Sequence, residues 1–374
     1  MSSEHSVDPL VLKSLSSEER KALQDLHFDS SLFEQLASSL LAGSLPSNKV
    51  KGQLSVPPPE SLQTVPAAGT TSAARLREEG NQLLQQGRAA LVLLNGGMAT
   101  RFGGRVKGVV DALPGRSFLS LQASRMARLR KGASPNPPLL LMNSLATDAT
   151  TRAHLESGDF FGLGADNLFS FVQSAAPRLT PKGEVVRDAE GRLSLYGPGH
   201  GDLIPAMRRS GALQWLRDRG VEFLLMANVD NLGANLDPVL LGHFAGLGVD
   251  MMTEVVDRLP GERGGAPCAV DGRIQIVEDF AFPDDFDSQA IPCFNTNTLW
   301  FRTSALEQDF PMRWYAVTKE AEGQSVVQFE RLVGQVSWFL ETAWARVDRS
   351  RFLPIKTPAD LEEKQAALAR LFAS

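Results

Sequence analysis

The sequence predicts an α/β protein with a mixed, mainly parallel central sheet and a helical N-terminal segment. Two observations carry this reading. From residue 89 onward short apolar runs recur: ALVLL, PLLLMNS, NLFSFVQS, VEFLLMANVD and VDMMTEVV. Runs that are apolar along their whole length are the pattern of strands buried on both faces, so the sheet is largely parallel and covered by helices. Between the runs lie SFLSLQASRMARLRK, ATDATTRAHLESG, IPAMRRSGALQWLRDRG and DPVLLGHFAG, whose apolar residues fall at helical spacing. Crossovers in such a sheet are right-handed, and ligands bind beyond the carboxyl ends of the strands.

The elements follow in order. SSEERKAL opens like a helix, with Ser16 or Ser17 as cap and acids in the first turn. FDSSLFEQLASSLL continues with helical spacing. SVPPPESLQTVPAAG contains three consecutive prolines and reads as an extended connector. The expected division is therefore 1–70, a helical segment plus Pro-rich connector, and 71–374, the main domain. TSAARLREEGNQLLQQGR is a further helix. ERGGAPCAVDGRIQIVEDFA reads as a hairpin turning at Asp271-Gly272. PADLEEKQAALARLF is an amphipathic helix with Pro358 near its start.

Composition narrows the function. A net charge of -5 disfavours a general nucleic-acid binder. No apolar run approaches the roughly 18 residues of a membrane span, and MSSEHSVDPL lacks the basic start and apolar stretch of a secretion signal. The two cysteines, Cys268 and Cys293, have no metal-ligand spacing and fit a reducing compartment. The expected location is cytoplasmic.

Chemistry concentrates in a few loops. In NGGMATRFGGRVKG, Gly96 and Gly97 follow a strand and let a ligand approach the backbone, while Arg101 and Lys107 add positive charge. The stretch fails the phosphate-loop template, because Gly104 is followed by Arg105, and fails the dinucleotide template, because its glycines are adjacent. In YGPGHGDLIPAM, His200 stands between glycines and Asp202 is placed to cap the next helix. VEFLLMANVD ends a buried strand in Asn228 and Asp230. A carboxylate there suits Mg²⁺, a hard cation that takes one or two carboxylates plus phosphate oxygens. Asp237 before Pro238 reads as a helix cap. In FNTNTLWF, strand alternation places Asn295 and Asn297 on one face, where amides suit sugar hydroxyls. RSRFLPIKT brings Lys356.

Taken together and in order, LNGG, TRFGG, LMNS, GHGD, NVDNLGA, NTNTLWF and RSRFLPIKT resemble the eukaryotic-type UTP–glucose-1-phosphate uridylyltransferase family over roughly residues 88–360. The resemblance implies a Rossmann-like three-layer nucleotidyltransferase fold of the glycosyltransferase A-like kind. It implies that Leu94, Asn95, Gly96 and Gly97 bind the uridine end of UTP, that Gln173 reads the uracil, and that Gly199 and His200 touch nucleotide and sugar. Asn228 and Asn297 become sugar contacts and Asp230 the magnesium ligand. Lys107, Arg101 and Lys356 become the catalytic cations. The chain departs from the family at Met98-Ala99, at Val106 and at Thr298, and it ends soon after RSRFLPIKT, where the family continues into a β-helix often used for oligomerisation. A monomer is one expectation from that ending.

The expected reaction is in-line transfer of UMP from UTP to glucose 1-phosphate. A sugar phosphate is mostly deprotonated at neutral pH, so no general base is required. Alignment and charge neutralisation carry the catalysis. Thr298 motivates an alternative sugar phosphate, of galactose or N-acetylglucosamine. The altered loop and the early ending motivate a non-catalytic UDP-sugar binder. The expected partners are UTP and a sugar 1-phosphate, with neither nucleic acid nor membrane.

Overall fold

The computed structural model describes residues 11–129 and 137–373. The opening MSSEHSVDPL and the end of the expected helix at 117–131 lie outside these residues. The chain forms two compact units, and they do not divide at residue 70. The smaller takes the described residues up to Lys49, Gln173–Asp202 and Met312–Val333; the larger takes the described residues of Val50–Val172, Leu203–Pro311 and Gly334–Ser374.

In the larger unit eight strands form one sheet: β1 Leu62–Thr64, β2 Ala89–Leu94, β3 Leu139–Asn143, β4 Leu168–Val172, β5 Phe223–Asn228, β6 Met251–Asp257, β7 Cys293–Arg302 and β8 Thr342–Arg346. Their spatial order is β1-β8-β6-β7-β5-β2-β3-β4. All five apolar runs became parallel strands, and β7 alone runs antiparallel to both its neighbours. Leu91, Val92, Leu140, Leu141, Leu224 and Leu225 are fully buried, each contributing about 1.5–3 kcal/mol relative to exposure. Part of the Pro-rich connector is recruited as edge strand: β1 pairs with β8, and Leu54–Ser55 pairs with the expected hairpin. That hairpin joins Ala266–Val270 to Arg273–Val277, and Asp271 and Gly272 both have positive φ, as its tight turn requires.

Helices cover the sheet. Thr71–Gln85 and Pro238–Leu247 cross at glycines: a Cβ on Gly80 would lie 1.9 Å from the Pro238 carbonyl, and one on Gly242 would lie 2.1 Å from that of Leu76. Asp237 caps the second of these by accepting from Val239 and Leu240 N–H. The stretch IPAMRRSGALQWLRDRG breaks into Leu203–Arg209 and Ala212–Asp218 at Gly211. Pro358–Leu371 closes the unit, with Thr357 and Asp360 forming a capping box.

The smaller unit packs helices Ser17–Asp25 and Ser30–Leu41, together with two short antiparallel ladders, around Phe33, Ala37, Leu179, Tyr196, Val327 and Phe329. Ser16, not Ser17, is the first helix's cap, exchanging hydrogen bonds with Glu19.

Candidate functional site

β2 ends at half-buried Leu94, and the loop that follows is built from the inside out. Asn95 N–H donates to the Met142 carbonyl at 2.8 Å, which extends the β2–β3 pairing by one residue. The Asn95 carboxamide is fully buried. Its Nδ2 donates to Asn143 Oδ1 at 2.8 Å and to Thr151 Oγ1 at 2.9 Å. The Nδ2 partners lie beneath the loop, while the buried Oδ1 has no hydrogen-bond partner among the described residues. Gly96 is half-buried. Gly97 is exposed, and nothing lies within 4 Å of where its Cβ would be, so its backbone stays open to a ligand. Next comes a small hairpin, Met98–Ala99 against Arg105–Val106, with exposed Arg101 in its tip.

Lys107 leaves this hairpin and turns inward, only 8% exposed. Its Nζ donates to the Ile355 carbonyl and lies 3.8 Å from Asp230 Oδ2. Ile355 N–H in turn donates to the Asp230 carbonyl at 3.2 Å. The end of β5, the glycine loop and the segment before Lys356 therefore meet at one point. Burial pulls the Lys107 ammonium below its usual range, against the pull of Asp230. Burial also raises the Asp230 carboxyl, opposed by Lys107 and Lys356. Lys356 itself is exposed.

Beside them, Asn297 Nδ2 donates to Asn228 Oδ1 at 3.2 Å. Asn295 and Asn297 are both half-buried, on either side of buried Thr296. A bulge interrupts the β6–β7 register between Glu254 and Val255, and Asn297 adopts a left-handed φ of 55°, which asparagine tolerates better than most residues. Its N–H donates to Asn295 Oδ1 at 3.0 Å. Thr298 is fully buried and accepts from Asn231 Nδ2, so this departure from the family lies under the Asp230 loop. Glu278 was not singled out in the sequence. It is half-buried, its carboxyl lies beside Gly265, and the Gly265 carbonyl receives Asn295 N–H. Burial and neighbouring Asp279 push its pKa up to about 7.

In the smaller unit, Gln173 packs over Gly197, where a Cβ would fall 2.4 Å from its Nε2. Gly199 has φ +82°, and a Cβ there would lie 2.5 Å from the Arg331 carbonyl. His200 Nδ1 accepts from Val333 N–H at 3.1 Å, so the neutral ring carries its proton on Nε2. Asp202 is not a helix cap: it is fully buried and bound by Arg331 at 2.7 Å, by Ser174 N–H at 2.7 Å and by Ser174 Oγ at 2.9 Å.

Burial depresses the His200 pKa from 6.5 to about 4. Between those values the unfolded chain binds a proton and the native chain does not. Stability is therefore full above about pH 6.5 and falls as the pH drops toward 4, by up to about 3 kcal/mol at 1.36 kcal/mol per unit. A His200→Asn chain, which retains an oxygen acceptor for Val333, is expected to lose less stability between pH 7 and 4.5 in urea titrations. An unchanged pH slope would assign that loss to other groups.

With this geometry in place, comparison with known proteins is decisive. The sequence profile of the family described as UTP–glucose-1-phosphate uridylyltransferase matches residues 31–371. The chain belongs to this family. The Musa acuminata enzyme of that name is 33% identical over 300 residues, 76% of this chain and 64% of the relative. The Saccharomyces cerevisiae enzyme is 31% identical over 304 residues, 76% of this chain and 60% of the relative. The chain thus spans under two thirds of the length of these relatives. Among solved structures, a UDP-glucose pyrophosphorylase from Leishmania major aligns with TM-score 0.68 and 26% identity, covering 93% of this chain and 79% of that one. A uridine diphosphate N-acetylglucosamine pyrophosphorylase from Trypanosoma brucei aligns with TM-score 0.79 at 22% identity, over 94% of this chain and 80% of that one, and shows the shared fold. The fold is that of the UDP-sugar pyrophosphorylases.

In this member of the uridylyltransferase family the loop after Asp230 is clamped by two arginines that sequence reading did not select. Arg351 pairs with fully buried Glu254 through Nε and Nη2, both at 2.7 Å, and donates to Asn235. A Cβ on Gly233 would strike the Arg351 backbone. Arg125 donates to the Leu232 and Ala234 carbonyls, and burial, then nearby Arg351, lowers its pKa to about 9. Arg351 stands inside RSRFLPIKT and Arg125 outside any motif, but neither role could be read there, because their partners are distant in sequence. The residues at Asp230 fit magnesium only in company. Among the described residues no three His, Cys, Asp or Glu side chains gather to hold a metal, so Asp230 would supply one carboxylate and phosphate oxygens the other ligands. No described helix is long and apolar enough to cross a membrane.

Proposed function

We propose that the chain is a UTP–glucose-1-phosphate uridylyltransferase, making UDP-glucose and pyrophosphate. The observation that carries this reading is the meeting of Lys107, Asp230 and the Ile355–Lys356 segment at the carboxyl end of β5, in a chain of this family. An oxygen of the sugar phosphate forms a bond to the α-phosphorus of UTP, and the bond from that phosphorus to the β-phosphate oxygen breaks with its electrons on pyrophosphate. Lys107, Arg101 and Lys356 would offset charge on the transferring and leaving phosphates. The open backbone at Gly97 leaves space for the nucleotide next to half-buried Leu94 and Gly96. Asn95 supports that loop from below. Gln173, Gly199 and His200 are carried forward as nucleotide contacts on the resemblance alone; the neutral His200 ring has an Nε2–H to donate. Asn228 and Asn297, already joined, offer amides to sugar hydroxyls. Glu278 adds a carboxyl beside the Asn295 backbone.

Magnesium held by Asp230 belongs to the proposal, and when bound it would neutralise phosphate charge. So do a cytoplasmic location, supported by two buried free cysteines, and a monomeric state, which sedimentation would test. Thr298, the motive for a reading with another sugar phosphate, is buried against Asn231 and next to Asn297, and that reading is an outcome of the test below.

The test is pyrophosphate release from UTP and glucose 1-phosphate, with Mg²⁺ and with EDTA. Release is expected to need both substrates and to stop in EDTA. UDP-glucose binding without any release would replace the enzyme by a binding protein, and release only with another sugar phosphate would change the substrate.

A further inference from the structure

The Lys107 ammonium lies 4.4 Å from the centre of the Phe102 ring and 5.3 Å from that of Phe118. Both distances are inside the roughly 6 Å over which a ring face attracts a cation. The two rings have different standing in the fold. Phe118 is fully buried at the start of the helix Phe118–Arg128 and belongs to the core. Phe102 is half-buried in the tip of the small hairpin, at the end of the turn Thr100–Phe102.

The hairpin is shaped to deliver this ring. Gly103 and Gly104 have φ of +77° and +73°, a region other residues enter only at a cost, and they reverse the chain directly after Phe102. Gly104 N–H donates to the Ala99 carbonyl at 3.0 Å, and Lys107 N–H donates to the Gly97 carbonyl at 3.3 Å, closing the base. The side chain of residue 102 thereby comes to rest over the ammonium of residue 107.

The ammonium needs such cover. Taking a lysine head group out of water costs several kcal/mol unless other groups replace its hydration. Here the Ile355 carbonyl accepts one hydrogen bond, while the Asp230 carboxylate at 3.8 Å is too distant for a direct one. Arg101, close enough to act on Lys107, opposes its charge. Ring faces can compensate an ammonium without competing for the N–H groups that a phosphate would use.

We propose that Phe102 is a positioning residue for Lys107, holding its ammonium by the ring face at the place where it meets phosphate. This rests on the reading of Lys107 as a phosphate ligand. It differs from packing in one respect: the effect depends on the electron density of the ring, not on its bulk.

Phenylalanines carrying one, two or three ring fluorines, installed at residue 102, keep the shape while withdrawing that density. Turnover of UTP with glucose 1-phosphate and the affinity for inorganic pyrophosphate are both measured, with thermal melting as the control. A cation–π contact of about 0.5–2 kcal/mol corresponds to a stepwise loss of about two- to thirty-fold across the series, with melting lowered by no more than the few degrees that the same loss implies. Phe102→Tyr is expected to retain function and Phe102→Leu to lose it. Turnover and pyrophosphate affinity that stay level across the fluorinated series would overturn the proposal, because packing alone would then suffice. If the unsubstituted chain releases no pyrophosphate from its substrates, the enzyme reading fails separately, and pyrophosphate affinity still decides the role of Phe102. If the chain binds no pyrophosphate at all, Lys107 is not a phosphate ligand and the proposal falls with it.

Discussion

An Asp230→Asn chain is expected to lose about 10²- to 10³-fold in turnover while still folding, the usual scale for removing one charge interaction that acts on the transition state. The carboxylate stands at the carboxyl end of β5, 3.8 Å from the Lys107 ammonium and within the influence of Lys356. Asparagine keeps the size and removes the charge. Folding should survive for two opposed reasons. The substitution relieves the cost of burying a carboxylate. It also takes away the countercharge of Lys107, but that ammonium keeps the Ile355 carbonyl and two aromatic rings. Pyrophosphate release and thermal melting check this together. Full turnover would remove Asp230 from the mechanism, and an unfolded variant would make it a structural residue.

The largest effect on stability is expected at Arg351. Its guanidinium is 12% exposed and its partner Glu254 is fully buried, and Glu254 also accepts from Trp300 Nε1 at 2.9 Å. Arg351→Met leaves a buried carboxylate with one neutral donor, and breaking such a pair costs about 3–5 kcal/mol. Adding Glu254→Gln should recover most of that loss, because no charge is then stranded. Urea unfolding of both single variants and the double variant measures the coupling. Losses that simply add would show that the two side chains act independently. Since the same arginine backs Gly233 and Asn235, the single variant should also lower turnover in chains that remain folded.

How far the site could be read in advance depended on the reach of each interaction. Asp237 could be assigned as a cap from its own neighbourhood, because its partners lie two and three residues away. Asp202 looked equally well placed and is not a cap, because Arg331, 129 residues away, holds its carboxylate. Asn95 stands in a recognisable ligand loop, yet its carboxamide serves Asn143 and Thr151. The alternation rule put Asn295 and Asn297 on one face, and both are half-buried around buried Thr296, but it gave no sign of the bulge there or of the positive φ of Asn297. Glu278 carried no signal at all, standing among several other acids, and only burial sets it apart.

By itself the sequence determined the parallel strands, the helices that cover them, the tight turn at Asp271-Gly272 and the family. These follow from local quantities: apolar period, caps, backbone tolerance and the order of short motifs. Tertiary structure alone decided the insertion of antiparallel β7 between β5 and β6, the use of the Pro-rich connector as edge strands, and the interleaving of three chain segments into the smaller unit. It also decided which side of a loop each polar side chain faces, and therefore which of them support the loop and which stay open to a ligand. The physical reason is the same in each case. A buried polar or charged group takes whichever partner the packed chain brings within about 3 Å, and that partner can stand a hundred or more residues away.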